Sequence, residues 1–100
     1  MSEKFKKIID IELKEIIPGF LENRMSDIVT LDKAIEISDF PSLRSIGHKL
    51  SGNAGGYGFD DLGEIGARLE TAGEEENLKN ASTEIKAIKA YMNNLEITYE

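Results

Sequence analysis

The chain has 100 residues, 40% hydrophobic and 31% charged, with 19 acidic against 12 basic side chains and a net charge of −7, which is ordinary globular sequence for one domain over residues 1–100. No segment gathers Lys and Arg into a stripe that could track phosphates, which argues against nucleic acid. The acidic balance and short apolar runs argue equally against a membrane partner or span. With no cysteine and a single histidine, disulfide and thiolate chemistry are excluded, and neither a metal site nor a cofactor of its own is expected.

The opening Met1-Ser2-Glu3-Lys4 lacks the charged-then-apolar pattern of a signal peptide, so a cytoplasmic location is expected. Phe5, Ile8, Ile9, Leu13 and Ile16 recur at helical spacing and predict a first helix over residues 3–16, ended by Pro18-Gly19. Leu21, Met25, Ile28, Leu31 and Ile35 then keep one face apolar and predict a second helix to about Ile37, with Met25 in the core.

Ser38-Asp39-Phe40-Pro41 reads as a boundary, since Asp39 is a good capping acid and Phe40, preceding a proline, resists the helical region, so a third helix starts here and extends to Tyr57. Gly58-Phe59-Asp60-Asp61 reads as a turn with an aspartate capping a fourth helix, whose Leu62, Ile65, Leu69 and Ala72 repeat until Gly73 marks its stop. Glu74-Glu75-Glu76 is expected to favour the start of the last helix through its dipole. Leu78, Ala81, Ile85, Ile88, Met92 and Leu95 form the seam of that helix. No strand signal competes. The expected architecture is all-α: an antiparallel up-down-up-down four-helix bundle, with an additional N-terminal helix packed across one end.

The lone histidine, His48, lies in the third helix. At about 100° per residue, Leu43, Ile46, Leu50, Ala54 and Tyr57 fall roughly 140–240° around the axis from it, so the imidazole points away from the apolar stripe. Ser45, Ser51, Gly52 and Gly55 lie within about 60° of the ring, which leaves room for a large partner. Interior glycines each cost roughly 0.8–1 kcal/mol against alanine, and close approach by another protein is one reason to tolerate them at Gly47, Gly52, Gly55 and Gly56.

A metal site at His48 lacks partner ligands, and a hydrolytic triad lacks a nucleophile turn at Ser45 or Ser51. What remains is a nucleophilic imidazole, whose free ring nitrogen can attack phosphorus and hold the phosphoryl group as a labile phosphoramidate. The glycine-rich run from Gly52 to Gly58 lacks the Gly-Lys-Ser/Thr ending of a phosphate loop, so a nucleotide site is not expected.

His48-Lys49-Leu50-Ser51-Gly52, followed by Gly55-Gly56-Tyr57-Gly58-Phe59 and by Leu62, Ile65 and Leu69-Glu70, resembles the histidine-containing phosphotransfer (HPt) domain, and the resemblance covers essentially the whole chain. It implies a helical bundle that is a phosphocarrier rather than an enzyme and that shuttles phosphoryl groups in multistep two-component phosphorelays. By that resemblance His48 is the phosphorylated residue. Its partners are response-regulator receiver domains or a hybrid sensor histidine kinase, and magnesium is expected in the partner receiver.

The family usually reads His-x-Leu-Lys-Gly, whereas here Ser51 stands at the lysine position and a lysine appears at Lys49. Arg44, one turn before His48 and only about 40° around the axis, is expected to substitute, with Lys49 at about 100° contributing from the flank. Phe40, Ser45, Gly52 and Gly55 are the expected partner-binding residues. The competing reading is a noncatalytic adaptor or inhibitor that docks on a signalling protein without accepting phosphate. A monomer is expected, since the helical stripes can satisfy one another within one bundle.

Overall fold

The computed structural model describes residues 4–100. Four helices carry the fold: α1 (Ile17–Glu36), α2 (Phe40–Asn53), α3 (Asp60–Glu74) and α4 (Leu78–Asn93), with 3₁₀ turns at Ile11–Leu13 and Ala54–Tyr57. α1 packs on α2 and α4, and α3 packs on the same two helices, which closes a four-membered ring. Short connections between neighbouring helices make successive members antiparallel.

Capping chemistry fixes where the helices begin. Pro18 lies in the first turn of α1, where its missing N–H is no loss. Asp39 caps α2, accepting from the Ser42 backbone N–H at 3.2 Å and from the Ser42 hydroxyl at 2.6 Å. Asn77 caps α4 by accepting from the Asn80 N–H at 3.0 Å. Asp60 and Asp61 sit in the first turn of α3 rather than capping it, a position the helix dipole still favours. The glutamate run belongs to the other side of the α3–α4 connection: Glu74 ends α3, and Glu76 turns the chain with a positive φ of 53°.

The expected N-terminal helix is replaced by a strand and a 3₁₀ turn; Glu3, its first residue, lies outside the described residues. Phe5–Ile9 forms strand β1, which pairs in parallel with a C-terminal strand β2 (Leu95–Tyr99), Phe5 opposite Leu95 and Ile9 opposite Tyr99. Both strands alternate, with Phe5, Lys7, Ile9, Leu95, Ile97 and Tyr99 turned inward. Ile8 is consequently 71% exposed. Parallel strands need a long crossover, and here the whole bundle supplies it. Leu95 therefore opens β2 instead of extending the α4 seam.

The core contains Leu43, Ile46, Leu50 and Ala54 from the α2 side, Leu62, Ile65, Leu69 and Ala72 from α3, and Ala81, Ile85, Ile88 and Tyr91 from α4. From α1 it takes Ile17, Phe20, Ile28, Leu31 and Ala34. Met25 departs from its expected place in the core and is 49% exposed, while Met92 is partly buried against the core. At the strand end Phe20 stacks on Phe59 with centroids 5.3 Å apart, Phe59 meets Tyr91 edge-on, and Tyr57 packs 4.4 Å from Phe20.

Two glycines explain how closely α2 and α3 approach. A Cβ on Gly47 would stand 2.5 Å from the Glu70 backbone N, and one on Gly66 would stand 2.5 Å from the Leu50 Cβ. The reason for Gly47 is thus internal packing rather than a partner's approach. Gly73, expected to stop α3, is a member of that helix set against the Arg44 backbone.

Candidate functional site around His48

His48 lies in the middle of α2 on the face opposite Leu43, Ile46 and Leu50, and its side chain is 76% exposed. Arg44, Ser45 and His48 from α2 and Glu70 from α3 line one shallow pocket. Glu70 Oε2 lies 2.9 Å from His48 Nδ1. A carboxylate can only accept, so the proton in this contact sits on Nδ1 and the lone pair of the neutral ring is left on Nε2. The arrangement presents one nucleophilic nitrogen to solvent while the other is held.

The cations divide between two places. Lys49 is carried to the α1 side of α2, where its ammonium sits 2.7 Å from Asp27 Oδ1. Asp27 Oδ2 in turn accepts from Arg24 Nε at 2.8 Å, and the Arg24 guanidinium lies over the Phe20 ring. Arg44 is exposed in the His48 pocket and makes no ion pair among the described residues.

The remaining candidates are spread along α2 and the 3₁₀ turn that follows it. Ser45 shares the pocket, and Ser51 and Gly52 are exposed about one turn beyond His48. Gly55 lies in the 3₁₀ turn, where a Cβ would meet the Asp60 carboxylate at 2.9 Å. Phe40 is half-buried at the start of α2, two turns before the imidazole, beside Pro41, Arg44 and Gly73. Among the described residues no three His, Cys, Asp or Glu side chains gather to hold a metal ion, and no helix is long and apolar enough to cross a membrane.

Glu70 is the residue that sequence reasoning left without a role. It was visible only as part of a motif, because its contact with His48 depends on the separation of two helices.

A family model described as the Hpt domain matches residues 15–98. The chain belongs to the Hpt domain family. No curated protein and no solved structure matches it significantly. Hpt domains are helical phosphocarrier modules rather than classical enzymes, and they serve phosphorelays in contact with receiver domains and kinases. A phosphotransfer role in phosphorelays in general follows for this Hpt domain, whose matched segment includes all four helices and the strand β2 up to Thr98.

Proposed function

We propose that this Hpt domain is an intermediate of a multistep two-component phosphorelay, accepting a phosphoryl group from a receiver-domain aspartate on Nε2 of His48 and passing it on. The observation that carries the reading is the exposed imidazole with Nδ1 held 2.9 Å from Glu70.

In the forward step the Nε2 lone pair attacks phosphorus. The N–P bond forms, the P–O bond to the receiver's aspartate breaks, and the carboxylate leaves with the electron pair. The ring, protonated on Nδ1 and phosphorylated on Nε2, becomes cationic, and the Glu70 carboxylate faces that charge. In the reverse step the ring departs as neutral imidazole with its proton still on Nδ1. Phosphoryl transfer is mostly positioning and charge stabilisation. Arg44 is the cation that supplies the latter from this chain, and magnesium held by the receiver adds to it. Ser45, Gly52 and Gly55 leave the face around the ring low enough for a receiver to dock, and Phe40 is an apolar anchor on the same helix.

The test is incubation with a phosphorylated receiver domain, followed by assay for phosphate that is acid-labile and base-stable. Label on the native chain and none on His48→Gln supports the reading. The displaced Lys49 and the serine at position 51 favour one rival, an adaptor that docks without accepting phosphate. A complex that forms with the receiver but carries no label would establish that rival instead.

A further inference from the structure

We propose that Gly47 is a positioning residue for His48, acting through Glu70: its missing side chain sets the α2–α3 separation at which the carboxylate reaches Nδ1. This rests on the phosphotransfer reading for its consequence, though not for its geometry.

Gly47 precedes His48 on α2, about 100° around the helix from it, and faces α3 directly. A Cβ there would lie 2.5 Å from the Glu70 backbone N, 2.9 Å from the Glu70 Cα and 2.7 Å from the Gly66 carbonyl oxygen. All three are backbone atoms of one helix, so no side-chain rotation relieves the overlap. Ordinary carbon contacts begin near 3.5 Å, and α3 must therefore retreat by roughly 1 Å at the residue that carries the carboxylate. The His48–Glu70 bond has little slack, because a contact that lengthens from 2.9 Å to about 3.6 Å is no longer a hydrogen bond. The glycine thus couples the spacing of two helices to the protonation pattern of an exposed ring.

Gly63 provides the internal comparison. It lies on the same side of α3, facing α2, but the nearest atom to its Cβ would be the Leu50 carbonyl oxygen at 3.7 Å. Alanine fits there without moving the helix.

The experiment is two-bond ¹H–¹⁵N correlation of the His48 ring at alkaline pH, in the native chain and in Gly47→Ala and Gly63→Ala. The native ring should carry its proton on Nδ1. Gly47→Ala should lower the ratio of Nδ1–H to Nε2–H tautomer roughly fivefold, the worth of one modest net hydrogen bond, while circular dichroism stays helical. Gly63→Ala should leave the ratio unchanged. If Gly47→Ala is largely unfolded in buffer, the spectrum is taken in trimethylamine oxide, which favours the folded state. It is also taken on Gly73→Ala, whose new methyl would meet the Arg44 backbone N at 2.7 Å one turn beyond Glu70, and which should shift the ratio in the same direction.

A folded Gly47→Ala with the native tautomer ratio overturns the proposal. So does failure of both wedge variants to fold even in the osmolyte, since the glycine would then serve the bundle alone. No phosphate or partner enters the measurement, so a tautomer shift in a chain that never accepts phosphate would refute the phosphorelay reading and leave the positioning role standing.

Discussion

Lys49 and Asp27 meet at 2.7 Å across the α1–α2 interface, which takes the lysine adjacent to His48 in sequence away from the imidazole. Arg44 is unpaired among the described residues and lines the same pocket as the ring, and the proposed mechanism gives it the charge of the incoming phosphoryl group. Arg44→Ala should therefore slow phosphoryl transfer to His48 roughly tenfold, the loss of one charge-assisted hydrogen bond in the transition state. Lys49→Ala should change the rate less than about threefold. Single-turnover transfer from a phosphorylated receiver measures both, and equal rates for Arg44→Ala and the native chain would remove the arginine from the mechanism.

The same ion cluster makes a separate statement about stability. Arg24 and Asp27 are nearly buried, with side-chain exposures of 7% and 13%, whereas the Lys49 side chain is 42% exposed. Removing Asp27 leaves an almost buried guanidinium without its carboxylate, at a cost of about 2 kcal/mol. Removing Lys49 costs no more than about 1 kcal/mol, as for exposed pairs. Urea unfolding of Asp27→Ala and Lys49→Ala should show that order.

How much of this was legible in the sequence varies with the range of the interactions. The four core helices follow from local periodicity and capping: Asp39 marks the start of α2, although Phe40, read as resisting the helix, is its first residue, and Leu62, Ile65, Leu69 and Ala72 mark the buried side of α3. The exposure of His48 follows from the same angular argument. The strands were not legible as a pair, because Phe5–Ile9 finds its partner only at Leu95–Tyr99, at the far end of the chain. Ile8, Ile9, Leu13 and Ile16 imitate a helical stripe, yet Ile8 faces solvent once the strand period applies. Leu95, Ile97 and Tyr99 did carry an alternating signal, masked by the helical seam that runs into it. The Glu70 contact was illegible for a different reason, since it depends on how closely Gly47 lets α3 approach.

Besides its apolar contacts, the strand β1 has an ionic tie to the bundle at Asp61. Tyr91 is fully buried and its hydroxyl donates to Asp61 Oδ1 at 2.8 Å, while Lys7 of β1 sits 2.8 Å from Asp61 Oδ2. Partial burial pushes the Asp61 carboxyl up, but the hydrogen bonds from Lys7 and Tyr91 and the lysine charge outweigh it and hold the group below its ordinary value. Burial, then the Asp61 carboxylate, raise the Tyr91 phenol above its ordinary value. As pH falls, the unfolded chain takes up the aspartate proton first, so the stability from Asp61 is full above about pH 4 and is lost as pH drops through the folded value. As pH rises, the unfolded chain loses the tyrosine proton first, so the contribution of Tyr91 is full below about pH 10 and declines beyond it. Stability measured against pH should fall at both ends. Asp61→Asn should flatten the acid limb and Tyr91→Phe the alkaline one.

Gly58 joins the two halves of the same end of the molecule. Its φ of +93° is a left-handed conformation, and a Cβ would meet the Ile9 Cδ1 at 2.6 Å. The isoleucine tip can move, but the backbone strain cannot be relieved that way, so Gly58→Ala should cost about 1–2 kcal/mol. Thermal unfolding checks this. An unchanged melting temperature would mean that the turn relaxes without glycine.

The central claim is that His48 offers Nε2 as the attacking atom because Glu70 holds Nδ1. Phosphorylating the ¹⁵N-labelled chain from a receiver domain and recording the ³¹P–¹⁵N coupling locates the bond directly. The account predicts phosphorus coupled to Nε2 of His48, with the Nδ1 proton retained. Phosphorus on Nδ1, or on any residue other than His48, would contradict it.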